Sequence, residues 1–203
     1  MAKYEGNDHY LDAVTGVLKN KLGIRDEEEL NKAEASLVAW RSFQLFQTPI
    51  KGHFDLAHLR AIHRHLFGDV YEWAGELRDI DLAKGNSYFA NHTYIVEAAK
   101  PIFERPAQES HLQGLPSDSF SQRAAHFLGE INALHPFREG NGRAQREFIN
   151  HLAYRNGYFI EWKNVGQAEM IQAAIDSFQQ GDNTKFASFI RDSLRELPAS
   201  TPQ

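Results

Sequence analysis

Residues 135–146 read HPFREGNGRAQR and lie between two amphipathic stretches, an arrangement that restricts this part of the chain to helix–turn–helix. Upstream, Phe120, Ala124, Phe127, Ile131 and Leu134 recur at helical spacing and share one face. Ser117 or Ser119 can cap that helix. Pro136 disfavours helical backbone at the residue before it, so the helix stops at or near His135. Downstream, a second helix starts near Gly142 and turns Phe148, Ile149 and Leu152 inward. Asn156-Gly157 suits a left-handed cap at its end. The intervening turn therefore sits at a helix N-terminus, where free N–H groups and the helix dipole favour an anion.

The residue types inside the turn fit the same chemistry. His135 can accept a proton near neutral pH, its ordinary pKa being about 6.5. Glu139 is a hard oxygen ligand of the kind Mg²⁺ takes. Gly140, Asn141 and Gly142 can aim successive backbone N–H groups at one point. Arg143 and Arg146 add cations suited to phosphate oxygens. A plain helix–helix connection needs the turn but not two arginines on adjoining turns. Phe137 has no role at a phosphate and reads as a core anchor. Arg138 is expected to face solvent.

The rest of the chain reads as all-α with one small β-hairpin. Asp26 caps a helix from Glu27 to Phe46, with Leu30, Ala33, Leu37, Trp40 and Phe43 as its apolar stripe and Trp40, Phe43 and Phe46 in the core. Asp55 to Phe67 repeats the pattern until Gly68-Asp69 breaks it. Between residues 80 and 91 the helical stripe is lost, and Lys84-Gly85-Asn86-Ser87 is a turn signal between two short extended segments. His92 to Arg105 returns to helix, and one or two more helices follow around Ile171, Ile175, Phe186 and Ile190. At 203 residues this is a single domain over 1–197, with 198–203 a disordered tail or the end of a fragment.

Composition narrows the function. A formal net charge of −5 argues against a surface built for direct nucleic-acid binding, so the motif cations form a local patch. The chain has no cysteine, which excludes disulfides and thiolate metal sites. The N-terminus lacks the apolar core of a signal peptide, and no run reaches the roughly 18 apolar residues of a membrane span. The chain is therefore expected to be soluble and cytoplasmic. Most of its ten histidines are discounted: His58 and His65 can share a helix face but bring no third ligand, and zinc spacings are absent.

HPFREGNGRAQR resembles the Fic (filamentation induced by cAMP) motif, His-Pro-Phe-x-(Asp/Glu)-Gly-Asn-Gly-Arg-x-x-Arg, at every defined position. The stretches HLRAIHRHLFGDVYEWAGELR and YLDAVTGVLKNKLGI are also similar to family segments, and together these cover nearly the whole chain. The resemblance implies a helical Fic core that transfers AMP from ATP to a protein hydroxyl and releases pyrophosphate. In it, His135 deprotonates the target hydroxyl and Glu139 holds Mg²⁺ between the α- and β-phosphates. Gly140, Asn141 and Gly142 cradle the phosphates, with Arg143 on the β-phosphate side and Arg146 reaching the γ-phosphate. The hairpin over about 80–91 becomes a flap that aligns an extended target segment by strand addition, with Lys84 approaching the nucleotide. Asn132 and Gln172 line the ATP pocket.

Two departures from relatives refine this. Doc-type kinases of the superfamily carry lysine at the position of Gly142, so Gly142 favours AMP transfer over phosphate transfer. The inhibitory pattern Ser/Thr-x-x-x-Glu-Gly/Asn is missing: Ser188 is followed by Asp192 and Ser193, and Ser193 by Leu197. Inhibition is then expected in trans, from a small antitoxin whose glutamate meets Arg146. That places the chain nearest the bacterial Fic toxins, which modify DNA gyrase and topoisomerase IV. Three other readings stand beside it: a catalytic fragment of a secreted effector, a phosphotransferase, and a non-catalytic nucleotide-binding module.

Overall fold

The computed structural model describes residues 8–84 and 87–197, so the expected tail and the Gly85-Asn86 tip of the turn lie outside the described residues. Helix α1 spans Glu27–Gln47. The Asp26 side chain accepts the Glu29 N–H at 2.8 Å, and three glutamates fill its first turn, where the helix dipole favours them. Helix α2, Leu56–Phe67, is capped in the same way by Asp55, which accepts the His58 N–H at 2.7 Å.

The buried face of α1 is Leu30, Glu34, Val38 and Leu45. The expectation that Trp40, Phe43 and Phe46 form core is corrected: they are 57%, 48% and 53% exposed, and Trp40 and Phe43 stack on each other at 5.8 Å. Apolar residues lie on both sides of this helix and the inward face carries an acid. Periodicity alone therefore selects the wrong stripe.

Next come β1 (Ala83–Lys84) and β2 (Ser87–Tyr88), paired antiparallel with Ala83 opposite Tyr88. This is the expected hairpin. Helix α3 spans Ile95–Gln108, after a single 3₁₀ turn over His92–Tyr94. It runs through Pro101 and Pro106, each of which forgoes one backbone hydrogen bond.

Helix α4, Ser117–Leu134, is the central element. Its N-cap is Pro116, without a side-chain cap, rather than either candidate serine. It packs against α3, α5 (Asn141–Arg155), α6 (Gln167–Gln180) and α7 (Thr184–Ser193), and α5 also packs on α2. This explains why α4 buries Phe120, Ala124, Phe127, Leu128, Ile131 and Leu134. Gly157, at φ +78°, ends α5 in the left-handed region. Two short strands, β3 (Tyr158–Ile160) and β4 (Leu194–Glu196), then pair antiparallel and fasten the C-terminal end onto the body. Among the described residues no helix is long and apolar enough to cross a membrane.

Candidate active site

The sequence 135–146 forms the loop from α4 into α5, and its shape comes from two left-handed residues. His135 caps α4 at φ 47°, ψ 59°, and Gly140 caps α5 at φ +78°. For a non-glycine residue this conformation costs of order 1 kcal/mol or more and persists only where the surroundings hold it. Those surroundings are specific. The His135 carbonyl accepts Arg78 Nε at 2.8 Å, and the Pro136 carbonyl accepts the Arg78 N–H at 2.9 Å. The His135 ring stacks on Phe89 of the hairpin, centroids 3.8 Å apart and planes at 12°.

Asn141 closes the loop from within. Its Oδ1 accepts the Phe137 N–H at 2.8 Å and its Nδ2 donates to the Phe137 carbonyl at 2.7 Å. Its side-chain amide is thereby committed to the loop, so any contribution to an anion comes from its backbone. The first intrahelical bonds run from Arg143 and Ala144 to the Gly140 carbonyl. The Asn141 and Gly142 amides precede them and have no intrahelical acceptor, as at any helix start. The Gly140 amide donates to Glu139 Oε1 at 2.8 Å.

Phe137 is 1% exposed and stacks on His63 at 3.9 Å, in keeping with a core anchor. His63 is fully buried and spans two elements: Nδ1 accepts the Gly75 N–H at 2.8 Å and Nε2 donates to the Glu139 carbonyl at 2.9 Å. Burial holds its pKa down at about 4, so the ring is neutral. Its role was not legible among the discounted histidines.

The charged residues divide. Arg138 is corrected from solvent-facing to buried, and it pairs with Asp8, Nη2 to Oδ2 2.7 Å. The alternation that places neighbours on opposite sides belongs to extended chain, and the left-handed turns abolish it. Arg143 lies over the Phe67 ring at 4.7 Å, pairs with Glu34 at 2.6 Å and approaches Glu139 at 3.6 Å. Arg146 is partly buried and has no carboxylate partner among the described residues. Burial, then the charge of Arg143, lower its pKa to about 10. Gly142 is tight against it: a Cβ there would lie 3.3 Å from Arg146 Nη1.

A cavity of about 510 Å³ opens over this loop. Its walls are His135, Glu139, Asn141, Gly142 and Arg143, with Glu34 of α1 and Phe89 of the hairpin opposite. Asn132 is buried, is not among the described residues that line the cavity, and donates to the Ala174 carbonyl at 3.1 Å, tying α4 to α6. Gln172 is exposed on α6 and donates to Asp176 at 2.8 Å. Lys84 is placed on β1 by its backbone, and its side chain lies outside what is described. No group of three or more metal-ligating side chains occurs among the described residues. Glu139, half-exposed at the cavity, is a single carboxylate of the kind that holds Mg²⁺ together with substrate phosphates.

This helical domain groups His135, Arg143 and Arg146 around the N-terminus of α5, an arrangement suited to an anion. Residues 53–153 match the Fic/DOC family. The chain is 50% identical over 198 residues to protein adenylyltransferase VbhT of Bartonella schoenbuchensis, covering 97% of this chain and 41% of that protein. It thus spans less than half the length of that relative. It is 35% identical over 193 residues to the probable protein adenylyltransferase Fic of Salmonella typhimurium, covering 95% and 94% of the two chains. The crystal structure of BepC, a VirB-translocated effector of Bartonella tribocorum with bound AMPPNP, matches with a TM-score of 0.86 at 28% identity, covering 93% and 97%. The chain belongs to the Fic family.

Proposed function

We propose that this chain is a protein adenylyltransferase, which transfers AMP from ATP to a hydroxyl of a target protein. The observation that carries the reading is Arg146. A partly buried guanidinium without a carboxylate partner among the described residues, behind the free amides that start α5, calls for an anion. A nucleotide polyphosphate satisfies Arg146, Arg143 and those amides together. Gly142 supports AMP transfer over phosphate transfer by likeness, since the Doc-type kinases carry lysine at that position.

In the reaction His135 takes the proton of the target hydroxyl. The oxygen then bonds to the α-phosphorus, the bond to the β-phosphate bridging oxygen breaks, and pyrophosphate leaves. Catalysis of this kind rests on positioning and on stabilising phosphoryl charge, with a general base adding roughly 10²–10⁴-fold. Glu139 would hold Mg²⁺, which supplies charge neutralisation on the phosphates. The hairpin, which carries Lys84, docks the target as an added strand, and Asn132 and Gln172 belong to the ATP pocket.

Control by a small antitoxin follows from the same cation. A glutamate brought to Arg146 would compete with the γ-phosphate. Type II topoisomerases, DNA gyrase and topoisomerase IV, are the proposed targets, and a cytoplasmic site of action goes with them. The likeness to BepC favours a second setting for the same chemistry, the catalytic part of a translocated effector.

The test is incubation with a lysate and ATP labelled at either the α- or the γ-phosphate. Protein label from the α-position alone, lost in His135→Ala, is the expected result. Label from the γ-position would replace AMP transfer with a kinase reading. Nucleotide binding without label from either would leave a binding module.

A further inference from the structure

Arg78 lies outside the motif, yet its side chain is fully buried and its donors are spread over two elements. Nε donates to the His135 carbonyl at 2.8 Å and Nη1 to the Ile80 carbonyl at 2.7 Å. Nη2 donates to the carbonyl of Ala90 and, at 3.5 Å, to that of Leu134. Its own N–H holds the Pro136 carbonyl. Ile80 and Ala90 are the two stems of the hairpin, while Leu134, His135 and Pro136 are the helix end that carries the base.

The neighbouring acid completes the device. Asp81 Oδ1 lies 4.0 Å from Arg78 Nη1 and accepts the His92 N–H at 2.8 Å, while Oδ2 accepts Asn91 Nδ2 at 2.8 Å. The hairpin base is thus closed by one carboxylate and bolted to α4 by one guanidinium. A guanidinium suits this place because its five donors point in a fixed fork. Carbonyls at a helix C-terminus also carry the negative end of the dipole.

We infer that Arg78 is the positioning residue that sets the register between the target-docking hairpin and His135. It keeps His135 in its left-handed conformation and holds Phe89 against the His135 ring. A target hydroxyl aligned on the hairpin then arrives at a fixed distance from the base. The inference rests on reading the hairpin as the docking element and His135 as the base. Lysine cannot replace it, having three donors on one nitrogen and no fork.

The test combines transfer with a spectroscopic signature. In the wild-type protein the His135 ring protons should be shifted upfield by Phe89. Arg78→Lys, shown folded by circular dichroism, should move them toward unstacked values and speed exchange of the Phe89 amide, which is bonded to the Leu82 carbonyl. AMPPNP affinity should stay within about twofold, because α5 holds the phosphates, while α-label transfer falls by roughly 10²-fold, the size expected for a misplaced reacting group. Unchanged His135 shifts and unchanged transfer in folded Arg78→Lys overturn the inference, and so does a parallel loss of AMPPNP affinity, which marks a general structural role. If the variant does not fold, the wild-type guanidinium decides: slow rotation and protected N–H protons support the clamp, and free rotation overturns it. Absence of label transfer by the wild type would remove the proposed function on which the docking role rests, while the shifts and exchange would still decide separately whether Arg78 holds the hairpin to His135.

Discussion

Arg143 Nη1 lies 2.6 Å from Glu34 Oε1, an ion pair between the motif and a buried acid of α1 whose other oxygen accepts the Tyr71 hydroxyl at 2.5 Å. Arg146 makes no ion pair among the described residues, and the acid whose charge acts on it is its neighbour Glu147. One cation is therefore paired and held in place, and the other is not.

Glu34→Gln keeps an acceptor for Arg143 but removes a negative charge that faces the cavity. Phe67 and Glu139 still hold the guanidinium. Phosphate binding should tighten, AMPPNP affinity rising by roughly threefold to tenfold by calorimetry, which corresponds to about 1 kcal/mol of repulsion removed. Stability should fall by about 1–3 kcal/mol in denaturant titration, less than for a fully buried pair because Arg143 is 31% exposed. Weaker AMPPNP binding would show instead that Glu34 positions Arg143 for the phosphate.

Gly140 has two requirements at once. Its φ is +78°, and a Cβ would enter the Phe67 ring. Gly140→Ala should cost about 2–4 kcal/mol, combining backbone strain with overpacking, measured by urea unfolding. Alanine at Gly157, equally left-handed but with open space around it, should cost only about 1 kcal/mol.

Glu147 and His151 are buried 3.6 Å apart, and burial pushes Glu147 up to about 7 and His151 down to about 4. Both are neutral near pH 6. For Glu147, raised above its ordinary value, the folded state holds the proton that the unfolded chain releases, so its contribution falls as pH rises from about 4.5 to 7. For His151, depressed below its ordinary value, the contribution rises with pH from about 4 to 6.5. Glu147→Gln should therefore be nearly neutral at pH 4.5 and gain of order 2–3 kcal/mol relative to wild type by pH 8. Denaturant midpoints across that range read the difference. A gap that does not change with pH would remove Glu147 as its source.

Trp40 stands on the outer side of α1. Trp40→Ser should change stability by less than about 0.5 kcal/mol, whereas Val38→Ala, on the buried side, should cost about 1–2 kcal/mol. Thermal melts of the two variants compare the faces directly.

The helices and the turn from α4 into α5 were legible because local rules write them. Asp26 caps where expected, Pro136 stops α4 at His135, and Gly157 terminates α5. The hairpin was legible from its turn residues. Where apolar residues occupied both sides of a helix, as in α1, the same rules misplaced the buried face. The β3–β4 pair escaped because three-residue strands that join distant segments leave no periodic trace.

By itself, then, the sequence determined the order of elements and the turn that starts α5. These depend on residues a few positions apart. Only the tertiary structure decided that Glu34 meets Arg143, that Arg138 is buried against Asp8, and that Arg78 joins the hairpin to His135. Each of these is a polar contact between elements remote in sequence. Charge and hydrogen-bond complementarity across such distances has no period along the chain, so it becomes readable only once packing has chosen which faces meet.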